Sequence, residues 1–190
     1  MFFKGSFFLK TLLILIVMLC GLISSGQAQE KEVPVPTTRI LFVFDASQSM
    51  YGRWQSDMKM NIAQRLLGNV LDSLKNIENL EMALRVYGHQ KPYPPQDCDD
   101  TRLEVPFGGN NATKIKYRLS TINPKGTTPI AFALSQAKKD FTPCDNCRNI
   151  VVLITDGIEE CGGDPCEVSR MLQKEGITLK PFVIGIGSDY

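Results

Sequence analysis

The chain has 190 residues, a formal charge of +1 and six cysteines, with 43% hydrophobic and 22% charged residues. That balance provides enough apolar chain for one ordinary globular core. No basic stripe or long polybasic run is present, which argues against nucleic acid as a partner and against electrostatic docking on a membrane surface.

The N-terminus reads as a targeting signal. Lys4 and Lys10 give a positive start, Leu12 to Leu19 an apolar core, and Gly26-Gln27-Ala28 a small-x-small cleavage site. Residues 1–28 are therefore expected to be a signal peptide, and its removal turns the charge of +1 into −1. Left uncleaved, the segment would be a membrane anchor, because Phe7 to Leu9 lengthen the apolar stretch. Lipidation at Cys20 is disfavoured by the bulk of Leu19 before it. The expected location is secreted or cell envelope. Residues 29–38, with Pro34 and Pro36, read as a short extended linker. Residues 39–190 read as one domain.

The domain opens on Arg39 to Met50, RILFVFDASQSM. The apolar run Ile40 to Phe44 fits a strand buried on both faces of a parallel sheet. Met58, Ile62, Leu66, Val70 and Leu74 then recur at helical spacing, with Ser56 or Asp57 as cap. Leu80 to Tyr87 reads as a strand. Ala112 to Leu119 and Ile130 to Lys138 read as helices, and Ile150 to Ile154 as another buried strand. Asp164 caps a helix that starts at Pro165 and runs through Glu175. Leu179 to Ile186 is the last strand. Strands alternating with helices predict an α/β fold with a doubly wound, mostly parallel sheet.

The chemistry lies at the strand ends. The first strand delivers Asp45, Ser47 and Ser49 in alternate positions, where ligands bind in open α/β sheets. The Ile150 strand ends in Thr155, Asp156 and Gly157. Between them, the loop before Ile130 carries Thr127 and Thr128. Clustered hard oxygen donors suit Mg²⁺ or Mn²⁺. If neutral hydroxyls dominate, a bound ion keeps much of its charge and can attract a partner's carboxylate.

In order and separation, Asp45-Ala46-Ser47-Gln48-Ser49, Gly126-Thr127-Thr128-Pro129 and Thr155-Asp156-Gly157 resemble the three metal-site segments of the von Willebrand factor type A domain. The resemblance covers about Arg39 to the end. It implies a Rossmann-like sheet with helices on both faces, and an antiparallel edge strand at Arg102 to Val105. It implies a metal-ion-dependent adhesion site in which Ser47, Ser49 and Thr128 offer hydroxyl oxygens. Asp45 and Asp156 would act mostly through water. It favours Thr128 over Thr127, because the family's ligand directly precedes the position of Pro129. The family usually adds a further helix and strand, so the domain is expected to be C-terminally incomplete. The segments ITDGIEECGGDPC, RVYGHQ and Cys98-Asp99-Asp100 resemble a bacterial secreted or envelope branch.

The implied function is noncatalytic binding of a protein that presents an acidic side chain. Tyr51 and Trp54, just after the first metal segment, are candidate contacts on the rim. Two other readings compete. A haloacid-dehalogenase-like phosphatase also uses an apolar strand ending in Asp, but needs a second Asp where Ser47 stands. A structural envelope component would use the metal only to stiffen loops. His89, Glu159, Glu160, Asp99 and Asp100 read as polar or solvated loop residues, not as bases or ligands.

Five cysteines remain after residue 28. Cys144-x-x-Cys147 and Cys161-x4-Cys166 resemble zinc knuckles, but export favours disulfides and the Ile150 strand separates the pairs. Cys161 and Cys166 enclose a tight loop with two glycines. Disulfides are expected for Cys161–Cys166 and Cys144–Cys147, with Cys98 left over.

Overall fold

The computed structural model describes residues 34–183. The expected signal peptide, its cleavage site and the start of the linker lie outside the described residues, as do residues 184–190. Strand β1 spans Thr37–Asp45 and ends in a short 3-10 turn, Gln48–Tyr51. Two short strands, β2 (Arg53–Trp54) and β3 (Asp57–Met58), form a hairpin. Then come α1 (Lys59–Leu74), β4 (Leu80–Tyr87), β5 (Thr101–Gly108), α2 (Ala112–Ser120), α3 (Ile130–Asp140), β6 (Cys147–Thr155), α4 (Pro165–Lys174) and β7 (Ile177–Val183). Among the described residues, no helix is long and apolar enough to cross a membrane.

The main sheet has the order β5-β4-β1-β6-β7. All neighbours are parallel except β5, which runs antiparallel on β4 as the edge. The doubly wound sheet is therefore as expected. β1 is central, and its side chains alternate between two cores. Phe42 and Phe44 pack with α1 and α2, while Leu41 and Val43 pack with α3 and α4. Burial on both faces explains why this strand is continuously apolar. Each buried phenylalanine contributes about 2–3 kcal/mol. Because β4 and β6 flank β1 on opposite sides, the chain reverses its winding beside β1. A crevice opens there at the carboxyl ends of the strands.

The first helix differs from expectation in two ways. Asp57 does not cap it; Asp57 pairs with Trp54 across the hairpin, and its carboxylate accepts from Met58 N and the Asn61 side chain. The buried face is Met60, Ile62, Ala63, Leu67 and Leu71. Leu66 and Val70 are partly exposed and, with Leu74, line an apolar groove against Ile40, Phe42, Val152, Ile154 and Phe182. Both stripes have helical spacing. The one that docks is set by the position of the helix against the sheet, and Met58 lies outside the helix. Helix α4 is as read: Asp164 accepts from Cys166 N and Glu167 N, and Pro165 opens the first turn.

Candidate metal centre

Asp45 is fully buried at the end of β1. Its Oδ1 accepts from Ser47 N at 2.8 Å, and its Oδ2 accepts from Tyr87 OH at 2.9 Å and Thr155 Oγ1 at 2.7 Å. Burial pushes its carboxyl above the ordinary range, against the pull of the hydrogen bonds from Ser47 and Thr155. Asp45 thus organises the loop: it turns Ser47 back and ties β1 to β4 and β6. Ser47 Oγ lies 2.9 Å from Ser49 Oγ, and Ser49 Oγ donates to Asp156 Oδ1 at 2.8 Å. The Asp156 side chain is enclosed, and its other oxygen receives the Lys59 ammonium at 2.8 Å.

Thr128 joins this group from the loop before α3. A Cβ built on Gly157 would stand 3.8 Å from Ser49 Oγ and 3.9 Å from Thr128 Oγ1. The glycine therefore leaves a cradle between the two hydroxyls. Thr127 is used differently, since its Oγ1 accepts from Asp97 N at 3.2 Å. The three sequence segments converge, with Ser47, Ser49, Thr128 and Asp156 around one spot at the strand edge. Three hydroxyls and a carboxylate form a hard donor set of the kind that suits Mg²⁺ or Mn²⁺.

Two glycines allow this convergence; the sequence places Gly126 in a metal segment and Gly88 in RVYGHQ, but their close backbone approach shows only in the fold. Gly88 has φ +70°, and a Cβ there would meet Thr127 O at 2.6 Å and Ser47 Cα and N at 2.8 Å. Gly126 packs as closely: a Cβ would meet Lys91 O at 2.6 Å. The Gly88 carbonyl accepts from Gly126 N, and the Gly126 carbonyl accepts from Gln48 N, both at 2.8 Å. Backbone is thus stitched to backbone beneath the hydroxyls.

Three loop acids expected to be merely solvated are engaged by backbone donors, and of these Asp100 is buried, Glu159 half-buried and Glu160 exposed. Asp100 accepts from the Gln90 and Lys91 backbone and is 3% exposed. Glu159 accepts from Ala131 N at the start of α3, and Glu160 accepts from Thr128 N. These carboxylates position the threonine loop through its backbone. Tyr51 is half exposed, whereas Trp54 packs partly against the core. Tyr93 and Ile158 are also exposed beside the site. A cleft of about 510 Å³ runs from Gln48 and Ser49 to Tyr93, Gln96 and Glu160.

One expected disulfide is absent. Cys161 pairs with Cys98, and Cys166 is the exposed free thiol; Cys144–Cys147 is present as expected. The reason is local. Cys161 N donates to Glu159, and the Gln96 side chain donates to the Glu160 carbonyl, which holds Cys161 against the loop of Cys98. Cys166 is carried off in the first turn of α4 behind its cap. Four of the five cysteines are thus bonded to each other, so the zinc-knuckle arrangement does not form. Closing so long a loop stabilises the fold by about 4 kcal/mol on chain-entropy grounds.

His89 is buried, with Nε2 2.6 Å from Glu104 Oε1. Arg118 and Arg102 also donate to Glu104, at 2.5 and 2.6 Å. Burial works to raise the Glu104 carboxyl, but the hydrogen bonds from Arg118, Arg102 and His89 outweigh it and hold it at about 2, below the ordinary 4.5. Burial also lowers His89 from its ordinary 6.5, against the pull of Glu104 and Asp100. Both shifts have the same sign. Protons bind the unfolded chain first, so stability falls as pH drops below about 6.5, and again between about 4.5 and 2. Glu104→Gln should flatten the second step, which is worth on the order of 2 kcal/mol. Urea midpoints across pH 7 to 2.5 check this; an acid limb identical to that of the parent protein would refute it.

Comparison with known proteins gives the class. The model of the von Willebrand factor type A domain matches residues 40–190. The chain belongs to this family. It is 34% identical to the Bacillus subtilis protein YwmC over 188 residues, covering 95% of this chain and 80% of that one. Among solved structures, BatB from Bacteroides thetaiotaomicron superposes with a TM-score of 0.64 at 22% identity, covering 78% of this chain and 67% of that one. The manganese-loaded TRAP protein of Plasmodium vivax gives a TM-score of 0.59 at 21% identity, covering 83% and 61%.

Proposed function

We propose that the chain is an exported, divalent-cation-dependent protein-binding module. Ser47, Ser49 and Thr128 would hold Mg²⁺ or Mn²⁺ through hydroxyl oxygens, with Asp45 and Asp156 acting mainly through water. The observation that carries this reading is the convergence of three hydroxyls and one enclosed carboxylate at the strand edge. When bound, the cation supplies positive charge that neutral donors leave largely unneutralised, and a partner's Asp or Glu answers it. The chain's own residues orient that approach. Ser49 is exposed at the surface and shares a cleft with Tyr93, and Tyr51, Trp54 and Ile158 are further candidate contacts.

Other findings support the reading. The family is one of interaction modules, and the manganese-loaded TRAP structure makes a divalent ion a natural occupant. Two disulfides suit an oxidising compartment, in keeping with a cleaved N-terminal segment and a secreted or envelope location. The phosphatase alternative is disfavoured because Asp45 is fully buried with both oxygens engaged, which leaves no free nucleophile.

Calorimetry on the chelator-treated chain should register one Mg²⁺ or Mn²⁺ site of modest affinity. Ser49→Ala and Thr128→Ala should each weaken it by about tenfold or more. Capture of an envelope protein should need Mg²⁺ and vanish in chelator. Capture that survives both chelator and Ser49→Ala would overturn the adhesion mechanism. Metal binding without any capture would leave the stiffening role of a structural component.

A further inference from the structure

The Lys59 ammonium sits 2.8 Å from Asp156 Oδ2, with the Lys59 side chain 20% exposed and the Asp156 side chain 0% exposed. Its placement runs against local preference. Lys59 is the first residue of α1, where the helix dipole disfavours positive charge. Its backbone N–H donates to the Gly52 carbonyl at 2.9 Å, closing the base of the β2–β3 hairpin, while its side chain reaches across to Asp156. The charge is therefore held there by tertiary structure.

We infer that Lys59 is an internal counter-cation that sets the metal affinity of this site. The inference rests on the proposed reading of the site as a metal centre. An enclosed carboxylate without a counter-charge is costly, and Lys59 supplies that charge beside the neutral Ser49 donor. A dication arriving beside Asp156 meets Lys59 twice. The ammonium repels it, and it already occupies one oxygen of Asp156. Lys59 therefore weakens metal binding while protecting the metal-free fold. It also leaves the loaded site more positive, which favours an acidic partner. Lys59 acts through Asp156 and is a positioning residue.

The test is calorimetric titration of the chelator-treated full chain with Mg²⁺. Lys59→Met should bind about tenfold more tightly than the parent protein, and Lys59→Arg should match it. The metal-free melting temperature of Lys59→Met should fall, and Mg²⁺ should restore it. Lys59→Gln serves if the methionine variant does not fold. A purely structural lysine would lower stability equally with and without metal and leave the affinity unchanged. Unchanged or weaker Mg²⁺ binding in Lys59→Met, with binding intact in the parent and lost in Asp156→Ala, overturns the role of Lys59 and leaves the site standing. A parent protein that takes up no Mg²⁺ overturns both.

Discussion

Gly88→Ala should destabilise the protein by about 3 kcal/mol or more and abolish metal binding. Its added Cβ would lie within 2.6 Å of Thr127 O and 2.8 Å of Ser47 Cα and N, all of which belong to backbone. Backbone cannot swing aside as a side chain can. The φ of +70° adds strain of its own. Relief requires the Ser47 and Thr127 segments to separate, and that separation pulls Ser47 and Ser49 away from Thr128. Gly68→Ala is the matched control. Gly68 lies inside α1 with nothing within 4 Å of a built Cβ, so the same change there should stabilise by about 0.5–1 kcal/mol. Urea midpoints and Mg²⁺ calorimetry on both variants check the pair. A Gly88→Ala protein with parental midpoint and parental affinity would show that this close approach does not govern the site.

Asp45→Ala should also combine lost metal binding with lost stability, by about 3 kcal/mol. The change removes the acceptor that Ser47 N, Tyr87 OH and Thr155 Oγ1 share at a fully buried position. Part of that cost is returned, because the carboxylate is itself held against burial. Alanine alone therefore confounds fold with function. Asp45→Asn separates them: it keeps the volume and one acceptor oxygen, so it should melt closer to the parent while still losing Mg²⁺. Thermal unfolding without metal, followed by calorimetry, resolves the two effects. Unaltered Mg²⁺ affinity in Asp45→Asn would mean that Asp45 has no part in the site.

What was readable from the sequence depended on near neighbours along the chain. The continuous run Ile40 to Phe44 marked a strand buried on both faces, Asp164-Pro165 marked a helix start, and Leu80 to Tyr87 marked a strand with its bounds. The oxygen-bearing segments stood out because each follows directly on a strand or precedes a helix, and family resemblance linked them. Such features are set by dihedral preference, capping and hydrophobic period, all of which act over a few residues.

Tertiary structure decided everything that joins distant residues. The spacing of α1 allows two apolar stripes, and docking on the sheet selects Ala63, Leu67 and Leu71 over Leu66 and Val70. Cys161 has another cysteine five residues away in sequence, Cys166, yet it pairs with Cys98 across 63 residues because two loops meet at the rim. Asp100, Glu159 and Glu160 are ordinary loop acids in sequence. In the fold, the backbone donors they serve draw them in. Lys59 and Asp156 are 97 positions apart and share a hydrogen bond. Local sequence determines which elements form and which chemical groups end them. Only the packed sheet determines which of those groups come within 3 Å, because that depends on strand order, helix rotation and the close backbone approach at Gly88.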